Sequence, residues 1–63
     1  MKALVVGYGS IGKRHVQNLL SIPNMKIIVC TKRKDVDLPQ NCLVLESLSE
    51  CIIHKPDFAI ISN

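Results

Sequence analysis

Residues 5–12 read VVGYGSIG. An apolar run, ALVV at 3–6, precedes the glycines, and a stretch of helical spacing follows them. Gly7, Gly9 and Gly12 therefore form a GxGxxG pattern at a strand-to-helix turn, and each has its own physical task. Gly7 permits the tight turn, Gly9 lets the backbone approach a pyrophosphate, and Gly12 allows the helix to lie close against the strand. The amides of Ser10 and Ile11 open the helix without intrahelical partners, so they and the positive end of the helix dipole face any bound phosphate. Gly7, Tyr8, Gly9, Ser10, Ile11 and Gly12 are thus candidate cofactor-binding residues, with Tyr8 either bordering the ligand or shielding the turn. Lys13 and Arg14 follow in the first helical turn, where cations oppose the dipole unless an anion is bound.

Outward from this turn, two further continuous apolar runs, IIVC at 27–30 and FAII at 58–61, match strands covered on both faces of a parallel sheet. Between the first two runs Gly12, Val16, Leu19, Leu20 and Pro23 recur at helical spacing, and Pro23 predicts a helix end near Ser21. DVDLPQN, from Asp35 on, has no helical period and reads as a loop leading to a third short strand, CLVL at 42–45. Ser47 with Glu50 three residues on is a capping-box pattern opening a second helix, with Leu48, Cys51 and Ile52 as its inward stripe and Pro56 closing it. A fourth strand spans Asp57 to Ser62. Right-handed crossovers then predict an α/β fold, the front portion of a Rossmann domain. Its parallel sheet has the order 3-2-1-4 with a helix on each face, and residues 1–63 form one unit.

The end of the second strand selects the ligand. NAD-binding units usually carry an acid there for the ribose hydroxyls, whereas this chain has Thr31 followed by Lys32, Arg33 and Lys34. A carboxylate repels a 2′-phosphate and a guanidinium grips one through two parallel bonds, so NADP(H) is the expected cofactor, with NAD the alternative. Arg33 is the principal expected contact, with Thr31 and Lys32 assisting, since successive side chains cannot all point to one site. Asp35 and Asp37 lie close enough in sequence to restore an NAD-like contact. At the carboxyl end of the fourth strand, Ser62 and Asn63 complete the expected cofactor site.

VVGYGSIGKRHVQNL, from Val5 on, and LVLESLSECIIHKPDFAIISN at 43–63 resemble the amino-terminal domain of the Gfo/Idh/MocA oxidoreductases. The resemblance covers nearly the whole chain but only the first part of that family's cofactor domain. It implies hydride transfer between a nicotinamide and a sugar or cyclitol carbon. It also implies a catalytic lysine in a Glu-Lys-Pro motif beyond the fourth strand, and acid–base residues in a carboxyl-terminal substrate domain. No catalytic residue is therefore expected within these residues. HKP at 54–56 closes the second helix and does not supply that lysine, and Thr31 departs from the family's common acidic strand end.

Composition narrows the rest. Apolar residues make up 48%, which excludes a disordered chain, and eight Lys and Arg against five Asp and Glu leave +3, a bias suited to a small anionic ligand. Tyr8 and Phe58 are the only aromatics, too few for base-stacking platforms, so nucleic acid is not an expected partner. Cys30, Cys42 and Cys51 are odd in number without CxxC spacing, which favours reduced thiols over a disulfide or zinc framework and points to the cytoplasm. Neither a signal peptide nor a membrane span is expected. His15 reads as a packed or capping imidazole, His54 as exposed and Cys30 as a small hydrophobe. The competing readings are a regulatory nucleotide-sensing domain of the kind that gates potassium transport, which usually ends strand two in an acid, and a structural fragment that binds nothing. The apolar fourth strand, as an uncovered edge, predicts self-association.

Overall fold

A computed structural model describes residues 1–39 and 41–62. The chain runs β1 (Lys2–Val6), α1 (Ser10–Leu20), β2 (Lys26–Cys30), β3 (Cys42–Leu45), α2 (Leu48–Ile53) and β4 (Phe58–Ile61). All strand pairs are parallel and the order is β3-β2-β1-β4, as the crossover rule requires. In register, Val5 lies between Val29 of β2 and Ile60 of β4.

Each face of the sheet is covered by one helix. Val16 and Leu19 of α1 pack with Ala3, Val5, Ile27 and Val29, while Cys51 of α2 packs with Leu4, Ile28 and Cys30 on the other side. Alternation along β1 explains the split, since residues two apart share a face. Burial at each fully enclosed aliphatic position contributes about 1.5–3 kcal/mol, and most such positions, including Ile27, Val5, Val16 and Val29, lie on the α1 side.

The helix ends follow local chemistry. α1 stops at Leu20, with Ser21 as its cap, two residues before Pro23. Ser47 caps α2 by accepting a hydrogen bond from the Glu50 amide at 3.4 Å, the first half of the capping box. α2 ends through Lys55, held at φ 55 in the left-handed region, just before Pro56.

Several expectations are corrected. Leu48 and Ile52 are exposed, so α2 presents only Cys51 to the sheet; its six residues are too few to lay down a second buried turn. On α1, the half-buried Leu20 packs against the core with the rest of the stripe, but Pro23 is exposed beyond the helix end. The apolar run at 58–61 is not covered on both faces: Phe58, Ala59 and Ile61 are exposed and Ile60 is half-buried. β3 and β4 are edges with one neighbouring strand each, and Ile61 remains 66% exposed. The fourth strand is also shorter than Asp57 to Ser62: Asp57 instead clamps its start, its Oδ2 accepting from the Lys2 amide at 2.7 Å.

All three cysteines are free, Cys30 and Cys51 buried and Cys42 half-buried. Burial, followed by the neighbouring Cys30 thiol, pushes the Cys51 thiol up to about 11, so it stays neutral and behaves as a small apolar side chain. Among the described residues no helix is long and apolar enough to cross a membrane.

Candidate functional site

The three glycines of the turn have different surroundings. Gly7 sits at φ 96, a conformation an L side chain rarely adopts, and its amide bonds to the Cys30 carbonyl at 2.9 Å, extending the β1–β2 ladder into the turn. A Cβ on Gly12 would lie 2.3 Å from the Gly7 carbonyl oxygen and 2.8 Å from the Ser62 hydroxyl, so only glycine lets α1 approach β1 this closely. A Cβ on Gly9 would meet nothing within 4 Å. Protein packing therefore demands Gly7 and Gly12, whereas the space above Gly9 is left open.

Gly9 is also the amino-terminal cap of α1, and among the described residues no side chain caps that end. Its carbonyl accepts the Lys13 amide at 2.9 Å, which leaves the amides of Ser10, Ile11 and Gly12 without intrahelical acceptors. No acid stands in the first turn to neutralise them. Ser10 and Ile11 are exposed, and with Arg14 and His15 they line an open hollow of about 460 Å³. Lys13 and Arg14 both extend into solvent, while His15 is half-buried beside the apolar stripe.

A second hollow, of about 410 Å³, lies between Lys2, Lys26, Cys42 and His54 at the opposite ends of the strands. It offers no uncapped helix start, and ligands of open α/β sheets bind beyond the carboxyl ends of the strands. The glycine turn is therefore the candidate site.

Beyond β2 the three cations separate. Arg33 turns toward the glycines, its Nη1 donating to the Tyr8 carbonyl at 2.8 Å. Lys34 turns the other way and pairs with Glu46 at the end of β3, whose carboxyl is held below the usual range by that hydrogen bond. The exposed Lys32 adds its field to the same glutamate. Thr31 shapes the bend, its hydroxyl accepting from the Arg33 amide at 3.2 Å while its own amide bonds to Leu45.

Asp35 completes the cluster. Its Oδ1 accepts from Arg33 Nε at 3.2 Å and its Oδ2 from Nη2 at 3.0 Å, a side-on bidentate pair. Those bonds, then its own backbone amide, hold the Asp35 carboxyl below the usual carboxylate range, and the field of Lys13 adds to the effect. The same hydrogen bonds raise the Arg33 guanidinium, which keeps its charge throughout.

The ring of Tyr8 is buried in the α1-side core, so it shields the turn and offers only its carbonyl to the site. Ser62 packs beneath the loop, its hydroxyl directed at the carbonyls of Val6 at 3.0 Å and Gly7 at 3.2 Å. That hydroxyl tethers the end of β4 to the glycine turn. Asn63 lies outside the described residues.

The close coupling of Asp35 to Arg33 was not assigned from sequence. Its signal is the alternation D-V-D-L at 35–38: Val36 and Leu38 pack against the α1-side core, which holds the intervening carboxylates outward. Among the described residues no three His, Cys, Asp or Glu side chains gather as a metal site. Comparison with protein-family models, with curated proteins and with solved structures finds no match to this chain.

Proposed function

We propose that this chain is the dinucleotide-binding portion of a nicotinamide-dependent oxidoreductase, with NADP(H) favoured over NAD(H). The observation that carries the reading is the meeting of two anion-seeking elements at one turn. An uncapped helix start with free amides opens beside Gly9, and a guanidinium stands 2.8 Å from the carbonyl of Tyr8, the residue before it. The amides suit a pyrophosphate and the guanidinium suits a phosphate on the adenosine ribose. Gly9, Ser10 and Ile11 would hold the former, and Arg33, on the turn shaped by Thr31, the latter.

The sequence resemblance extends the proposal to a parent enzyme acting on a sugar or cyclitol-like substrate. We assign no catalytic residue within these residues; their part is to bind and orient the cofactor. Titration of the chain with NADPH and NADH in parallel, followed by calorimetry or nicotinamide fluorescence, tests the reading. NADPH is expected to bind more tightly, and Arg33→Ala to weaken NADPH about tenfold while sparing NADH. Equal affinities, or a preference for NADH, overturn the cofactor assignment, and binding of neither overturns the dinucleotide reading itself.

A further inference from the structure

Among the described residues the Arg33 side chain donates three hydrogen bonds, and two of them go to a carboxylate of its own loop. Nε and Nη2 grip the two oxygens of Asp35 at 3.2 and 3.0 Å, while Nη1 remains on the Tyr8 carbonyl at 2.8 Å. Two parallel N–H···O bonds to two oxygens of one anionic group is also how a guanidinium receives a phosphate. The edge of the fork best suited to a phosphate is thus already filled from within the chain.

We propose that Asp35 is an internal stand-in for phosphate, occupying the fork of Arg33 in the ligand-free chain and yielding it to the 2′-phosphate of NADP(H). The inference rests on the dinucleotide reading above and adds to it the residue that tunes discrimination between the two cofactors. An unphosphorylated ribose does not compete for the fork, so NAD(H) leaves the Asp35–Arg33 pair closed.

The surroundings allow the exchange. The two side chains are 53% and 70% exposed for Arg33 and Asp35, so water takes up the released carboxylate without a desolvation penalty. The guanidinium does not leave with it, because the Tyr8 carbonyl still holds Nη1 and the Thr31 hydroxyl still holds the backbone amide of Arg33. Lys13, on the first turn of α1, is the other charge acting on Asp35, and it lies on the helix that would face the pyrophosphate.

The test compares NADPH and NADH binding to the unaltered chain, Asp35→Asn, Asp37→Asn, Arg33→Ala and the Arg33→Ala/Asp35→Asn double variant. Asp35→Asn is expected to tighten NADPH about threefold, the scale of an exposed ion pair, and to leave NADH unchanged. Asp37, exposed and not bonded to the guanidinium, serves as the control for general charge removal. The gain should vanish when Arg33 is already alanine. An equal gain for both dinucleotides, the same gain from Asp37→Asn, or a loss of NADH affinity in Asp35→Asn overturns the inference while leaving dinucleotide binding intact.

A second readout follows the carboxylate itself. Adenosine 2′,5′-bisphosphate should release Asp35 and raise its NMR-detected carboxyl titration toward the ordinary range, whereas adenosine 5′-phosphate should not. An Asp35 titration unmoved by a bound 2′-phosphate sinks the proposal. Failure of every one of these ligands to bind removes the dinucleotide reading and this inference with it.

Discussion

The two βα halves of the molecule have the same connectivity and opposite exposure. In the first, β1 and β2 are the central strands and the 11-residue α1 buries Gly12, Val16 and Leu19. In the second, β3 and β4 are the edges and the six-residue α2 buries Cys51 alone. Val5 of β1 is fully enclosed, whereas Ile61 of β4 is 66% exposed and Ile53 of α2 is 74% exposed. An apolar run therefore does not carry a fixed share of stability; its share depends on whether neighbours stand on both sides of it. The first half is the stable body on which the glycine turn is mounted, and the second contributes tethers to it, notably Ser62 and Asp57.

The largest expected difference between the halves comes from truncating one isoleucine in each. Ile27→Ala, at a side chain 1% exposed, should destabilise the chain by about 2–5 kcal/mol. Ile53→Ala should change stability by less than about 0.5 kcal/mol in the same urea or thermal unfolding experiment. Similar losses at both sites break the comparison, because they mean that α2 is covered in solution.

The next test works within the first half and separates packing from binding in the glycine turn. Gly12→Ala forces a Cβ against the Gly7 backbone and should cost about 1–3 kcal/mol. Gly9→Ala meets no atom and starts from φ −81, which any residue adopts, so it should cost less than about 1 kcal/mol, the preference for glycine over alanine at a helix cap, while NADPH affinity falls. Retained affinity in folded Gly9→Ala shows that the open space serves no ligand.

The smallest effect on stability, and the sharpest on association, is expected at β4. This edge carries FAII with no charge, proline or bulge in its span, and on the sheet's outer side nothing among the described residues pairs with it. We expect chains to self-associate through it, as unprotected edges do. Ile61→Lys should leave unfolding within about 0.5 kcal/mol and abolish the association in sedimentation velocity. A monodisperse monomer of the unaltered chain at high micromolar concentration removes the expectation.

Element order, helix limits and strand order were legible in the sequence because each rests on short-range rules. Continuous apolar runs marked the strands, Pro23 and Ser47 marked helix ends, and crossover handedness ordered the sheet. The separate tasks of Gly7 and Gly12 were legible for the same reason: a strand-to-helix turn leaves room for little else. The directions of Arg33, Lys34 and Asp35 were not. They depend on the path of the loop after β2, which is set by Val36 and Leu38 packing onto a core built by distant residues.

Residue types and spacing by themselves determined that an α/β unit with a glycine-rich strand-to-helix turn is encoded here, since backbone sterics and hydrophobic period act locally. Only the tertiary structure decided that Arg33 meets that turn, that its own aspartate already holds it, and that half of the apolar runs lie at sheet edges. Charge pairing and burial are properties of what arrives nearby, and segments far apart in the chain bring it.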